Sequence, residues 1–356
     1  MNIFEIKHLN STTQLDCLRK RISDLKEIAL FTDLSIFATG SYARGEASVH
    51  SDIDLFFINR RPINTIKDHN INSLKLFAKI INIAEEMGFP KFSNDGAYLK
   101  VISGSEILEH LGNANDDYSN HFTARLLLIL ESQPIYGLDT YDAIMKDVLG
   151  RYFEDYPDHP EDFHPTFLVN DIIRFWKTLC LNYENKRNQP AKNDDVRIAQ
   201  KVKNLKLKFS RMLTCFGSIC YIAAQKGPIG IEQLLPMVKL SPLDRLRSAA
   251  SSFDTDEAMR AVETEYAWFL ELTNISEVDL MNSFHSRSHR EDAFQRAEVF
   301  GNAIFEITKT ISAKTGYLRY LIVVTSRKVV WLFPEQLWLQ FVPFLHRLQG
   351  RLAAEG

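Results

Sequence analysis

The sequence predicts an α+β chain in which a small mixed β-sheet with packed helices is followed by an all-helical domain. Three observations carry that expectation. Short apolar, β-prone runs alternate with helix-length amphipathic segments over about the first 115 residues. The remainder is nearly all helical in pattern. Between them, Pro157, Pro160 and Pro165 fall within one short stretch and preclude a continuous helix there. The boundary is therefore drawn at 155, with a catalytic domain over 1–155 and a helical domain over 156–356 that closes one wall of a cleft.

Residues 12–29 have helical spacing, with Leu15, Leu18, Ile22, Leu25 and Ile28 on one face. They lead into a strand, Leu34 to Thr39, and a second apolar run follows at Ile53 to Ile58. Arg60-Arg61-Pro62 makes a turn. Residues 65–87 form another amphipathic helix, carrying Leu74, Phe77, Ile80, Ile81 and Ala84, and Gly88-Phe89-Pro90 ends it. Tyr98 to Ile102 is a third strand, and Leu126 to Leu130 lies in a helix that starts near Ser119 and stops before Pro134.

At 356 residues the chain is too long for one ordinary core. Its hydrophobic and charged fractions are those of a globular protein, and its net charge of −3 gives no whole-chain signal for nucleic acid or membrane. Cys17, Cys180, Cys215 and Cys220 have neither CxxC nor zinc spacing, so they read as reduced, buried thiols of a cytoplasmic protein. The first residues lack the basic and apolar regions of a signal peptide. The most apolar stretches, 317–324 and 329–345, are interrupted by charge, so neither is expected to span a membrane.

The chemistry concentrates between Gly40 and Asp54. Gly40 follows the first strand and permits close backbone approach or positive φ, and Ser41 can cap a following helical turn. The N–H groups of Ser41 and Tyr42 then point outward and can hold phosphate oxygens. Ten residues on, Asp52 and Asp54 stand two apart at the head of the second strand, which places both carboxylates on one face. Two carboxylates so arranged suit Mg²⁺, or Mn²⁺, together with substrate phosphates. Arg44 can contact phosphate or pair with an acid of the sheet, and Glu46 can orient that arginine. His50 reads as a solvated loop histidine.

Gly40-Ser41, a spacer, and Ser51-Asp52-Ile53-Asp54-Leu55 resemble the DNA polymerase β-like nucleotidyltransferase superfamily. The form Gly40-x-x-x-Arg44-Gly45-Glu46 is similar to the bacterial branch that contains the signal-protein (PII) uridylyltransferases. Ser93 to Gly96, Phe122 to Arg125 with Leu130-Glu131-Ser132, and Asn170 to Trp176 extend a weaker resemblance to about residue 215. No His-Asp metal motif of the full-length uridylyltransferases follows.

The resemblance implies transfer of an NMP from an NTP, with two metal ions held by carboxylates. It also implies a third acid on a neighbouring strand, for which Asp95 is the nearest candidate; Ser93-Asn94-Asp95-Gly96 is equally a good tight turn. Asp116 and Asp117 compete for that role, but as helix-initiating acids they suit capping. Related enzymes hold the triphosphate with a lysine and a serine of the second domain, which points to Lys206 and Ser210, four apart. They lie in a basic run, Lys192, Arg197, Lys201, Lys203, Lys206, Lys208 and Arg211 against Asp194 and Asp195, whose bland reading is a solvated helix face. Asn170, Arg174 and Lys177 share another polar face, which either meets nucleotide or merely faces water.

The expected function is thus Mg²⁺-dependent transfer of an NMP, with ATP first among the donors, to a protein hydroxyl, including action within a toxin–antitoxin or regulatory system. The alternatives are an RNA- or nucleotide-directed enzyme of the antiphage signalling type, and a silent nucleotide-binding regulator.

Overall fold

A computed structural model describes residues 1–61, 69–92, 96, 99–158, 160–161, 163–190 and 193–316. Residues Met1–Ile311 form one compact unit and Ser312–Gly356 are grouped apart from it. The apolar stretches 317–324 and 329–345 lie outside the described residues, as does Asp95.

Helix α1 runs over Ile3–Ser23, nine residues earlier than its apolar spacing suggested, because Asn2 and Glu5 form a reciprocal capping box. Strand β1 (Leu34–Thr39) is buried along its whole length. It pairs antiparallel with β2 (Asp54–Asn59), which pairs parallel with β3 (Val101–Ser103). On its other side β1 pairs antiparallel with β4 (Gln133–Tyr136), giving the order β3-β2-β1-β4. The sequence reading omitted β4. It is four residues long, contains Pro134 and lies at the sheet edge, where a missing N–H is tolerated.

The chain passes from β1 directly into the short α2 (Gly40–Ala43), and α3 (His69–Glu86) follows β2. Leu18, Ile22, Ile36, Tyr42, Leu55, Phe57, Phe77 and Ile80 form the core between α1, α3 and the sheet. Next come α4 (Gly104–Glu109), α5 (Ala114–Tyr118), α6 (His121–Leu130) and α7 (Leu138–Arg151).

Beyond the proline-rich turn the described structure is helical, with α8 (Thr166–Arg187), α9 (Asp194–Lys206), a π-helical turn over Leu207–Arg211 and α10 (Met212–Ala223). They are followed by α11 (Ile231–Lys239), α12 (Pro242–Ala250), α13 (Asp256–Leu272), α14 (Glu277–Ser283) and α15 (Arg287–Thr315). Helices α10 and α12 approach closely at Gly217, where a Cβ would lie 2.7 Å from the carbonyl oxygen of Pro242. Of the four cysteines, Cys17 is exposed, contrary to expectation, because it falls on the polar side of α1; the other three are buried.

Candidate active site

The register of the sheet builds the site. Thr39, the last residue of β1, pairs with Asp54, the first of β2, so the turn into α2 begins beside that carboxylate. Gly40 has φ of +71°, and a Cβ there would lie 3.2 Å from Asp54 Oδ2. The left-handed conformation favours glycine, and the close approach leaves little room for a Cβ. Ser41 and Tyr42 then open α2, where a helix leaves its first N–H groups unpaired. Asp54 is half-buried and so is Asp52, which precedes the strand rather than belonging to it. The phenol of Tyr42 is pushed up to about 12 by burial and by the charge of Asp52, which acts on α2. Among the described residues no cluster of three or more His, Cys, Asp or Glu gathers as a metal cage. Two carboxylates beside a backbone cradle nevertheless suit a hard cation that keeps waters and substrate phosphates as its other ligands.

Arg44 and Glu46 follow α2. Arg44 Nε donates to Glu46 Oε2 at 2.7 Å and its Nη1 to Glu131 Oε2 at 2.6 Å, so the arginine pairs with two acids, neither of them in the sheet. These charged side chains are nearly enclosed, and Glu131 is wholly so. Burial opposes the guanidinium charge of Arg44, but Glu46, Tyr266 and Asp54 outweigh it and hold its pKa above the ordinary arginine value.

The helical segments meet the same loop. Tyr266 of α13 donates its hydroxyl to Glu46 Oε1, and its own pKa rises well above the usual phenol because of burial and that carboxylate. Ser210 Oγ lies 3.5 Å from Glu46 Oε2, and Arg211 Nη1 pairs with Glu131 Oε1. Lys7 of α1, bonded to Asn274 Oδ1 at 2.8 Å, is lowered to about 8 by burial, with Glu46 acting in the opposite direction.

Lys206 and Ser210, expected on one helical face, differ in exposure. Residues 207–211 are π-helical, with i→i+5 bonding. Lys206 is exposed while Ser210 is buried against Glu46 and Tyr266. Lys208 is half-buried, and burial lowers it to about 8 near Cys180 and Glu298. His50 is exposed, as expected.

Asp116, the alternative third acid, is fully buried in another cluster. Arg125 grips it bidentately at 2.8 and 2.6 Å, donates to Tyr152 Oη at 2.9 Å and approaches Asp171, to which Tyr152 donates at 2.7 Å. Asp117 pairs with Arg174, whose guanidinium lies 4.1 Å from the ring centroid of Phe122. The 122–125 and 170–176 motifs thus lock α5, α6 and α8 together, and of the polar face on α8, Arg174 is used for packing.

Sequence reasoning gave no role to Glu131, Arg211 or Tyr266. Glu131 had a usable signal, a lone acid closing the run Leu126–Leu130. Arg211 was counted among surface charges, and a tyrosine 220 residues from its partner carries no local signal at all.

Residues 18–96 match the family model described as nucleotidyltransferase domain. A 43-residue segment is 49% identical to the bifunctional uridylyltransferase/uridylyl-removing enzyme of Psychrobacter cryohalolentis; it is 12% of this chain and 5% of that protein. The matched family segment contains β1, α2, Asp52 and Asp54, and by it the chain carries a nucleotidyltransferase domain.

Proposed function

We propose that the chain transfers an NMP, with AMP first among them, from a nucleoside triphosphate to a protein hydroxyl, releasing pyrophosphate. The observation that supports this most directly is the contact of Gly40 with Asp54, a phosphate-holding turn placed against a carboxylate. Ser41 and Tyr42 present N–H donors to the triphosphate and so orient it. Asp52 and Asp54, with Asp95 as third acid, would hold Mg²⁺ or Mn²⁺, which when bound supplies charge stabilisation to the phosphates. Glu46 holds Arg44 in place on one side, while Tyr266 and Ser210 bind Glu46 from the other. In this reading the helical segments between residues 163 and 311 form the second wall of the nucleotide cleft.

The acceptor is read as protein rather than RNA because the basic run is modest and part of it is taken up by other contacts. Arg211 pairs with Glu131, Lys208 is half-buried, and Arg197 lies 3.8 Å from Asp194. Among the described residues no helix is long and apolar enough to cross a membrane. Action within a toxin–antitoxin or other regulatory pair fits such an acceptor.

Incubation with each α-labelled NTP, Mg²⁺ or Mn²⁺, and either cell lysate or total RNA tests the reading. Label is expected in protein, from ATP, and absent with Asp54→Asn. Label in RNA or in a small product would replace the acceptor, and no label in any fraction would leave a nucleotide-binding regulator.

A further inference from the structure

Glu131 lies outside any regular element, yet the backbone on both sides of it is hydrogen-bonded. It caps α6, its N–H donates to Leu127 O at 3.0 Å, and the preceding carbonyl, Leu130 O, accepts from Arg245 Nη1 at 2.7 Å. Arg245 is itself fully buried and bonded to Met237 O at 2.8 Å and Ser218 Oγ at 2.9 Å. On the other side, Ser132 Oγ bonds Leu128 O and Tyr141 Oη, and Gln133 pairs with Ala38 two residues before Gly40. The backbone that carries Glu131 is therefore fixed by α6, by α12 and by the strand that leads into the phosphate turn.

Each of its oxygens takes one arginine, Oε2 from Arg44 and Oε1 from Arg211. Both guanidiniums lie within electrostatic reach of Asp54. Arg44 has a second carboxylate in Glu46, whereas Glu131 makes the one ion pair of Arg211 among the described residues. Two cations beside a carboxylate oppose a divalent metal unless they are offset locally.

We propose that Glu131 is a positioning residue for the metal site, holding Arg44 and Arg211 on separate oxygens and offsetting the charge that Arg211 brings to Asp54. The inference rests on the reading of Asp52 and Asp54 as metal ligands, and it extends that reading to a residue about eighty positions away. The helical part of the chain thereby sets the cation affinity of the sheet through Arg211.

Mn²⁺ titration of the full chain, followed by electron paramagnetic resonance of the free ion, tests it without turnover. Glu131→Gln keeps the shape and removes the charge, and should weaken Mn²⁺ binding about tenfold or more, as expected for a unit charge acting on a nearby divalent ion at an effective dielectric of about 20. Arg211→Gln should bind Mn²⁺ at least as tightly as wild type, and the double variant should return close to wild type. A merely structural role would weaken binding in both single variants without recovery in the double, and that result overturns the proposal. So does wild-type affinity in Glu131→Gln when Asp54→Asn has lost binding. If Glu131→Gln does not fold, weaker binding by Arg211→Gln alone overturns it. Equal binding by wild type and Asp54→Asn overturns the metal reading, and this inference with it.

Discussion

Gly40 and Asp54 meet so closely that a single methyl group on residue 40 would lie 3.2 Å from the Asp54 carboxylate, with the backbone of residue 40 in the left-handed region. Gly40→Ala therefore carries two penalties of different kinds. Strain from the positive φ costs about 1–2 kcal/mol of stability. The displaced carboxylate lowers nucleotidyl transfer, by about tenfold or more for a shift of this size. Thermal melts and transfer assays on the one variant should show both, with the loss of activity exceeding what the loss of folded protein explains.

The two motif acids should differ in what they do for the fold. Asp52 adds negative charge near a buried phenol, whereas Asp54 faces the positive charge of Arg44 and Arg211. Asp52→Asn should leave the melting temperature unchanged or raised. Asp54→Asn should lower it slightly, and both should abolish transfer. Calorimetry beside a transfer assay checks the pair; substantial transfer by either variant removes that acid from the metal site.

Asp95 is tested by the same contrast. A turn aspartate in Ser93-Asn94-Asp95-Gly96 tolerates asparagine readily. A metal ligand does not, so Asp95→Asn should lose activity far more than stability. Full activity in this variant would remove Asp95 from the site.

Lys7 gives the fold a pH dependence with a definite sign. Burial lowers it to about 8 from an unfolded value of 10.5. Below pH 8 both states carry the proton and the desolvation penalty on the folded state is fully present. Between 8 and 10.5 the unfolded chain binds the proton and the folded chain does not, so stability rises with pH. Lys208, lowered likewise, contributes in the same direction. Melting temperatures at pH 7.5 and 9.5 should therefore rise more, or fall less, in wild type than in Lys7→Met. An identical pH response in the two proteins would mean that Lys7 is not held below its usual range.

What the sequence made legible was local. The Gly40–Asp54 motif declares itself because strand, turn and strand are contiguous and each needs a recognisable residue type at a fixed spacing. The π-turn at 207–211 has no comparable signal, and nothing local foretold that Ser210 is buried while Lys206 is exposed. Strand β4 was hidden because an edge strand need not avoid proline. Glu131 stood out as a lone acid closing an apolar run, but its role, like those of Arg211 and Tyr266, could not be read locally. Their meaning lies in partners 87, 80 and 220 residues distant, and such pairings are decided by tertiary packing alone.

The same reasoning assigns Arg125 to the fold rather than to the chemistry. Its guanidinium and Asp116 are both fully buried, in bidentate contact, with Tyr152 and Asp171 completing the cluster. Removing one partner of such a pair leaves an uncompensated buried charge and costs about 3–5 kcal/mol. Arg125→Met strands Asp116 and brings Tyr152 and Asp171 together without their cation, so it belongs at the upper end of that range. Replacing the pair together, Arg125→Met with Asp116→Leu, removes both charges and should recover much of the loss. Denaturant melts of the two single variants and the double measure the coupling directly. A double variant as unstable as the sum of the singles would mean that the two residues act independently, and that the cluster does not fasten α5 and α6 to α8 as one unit.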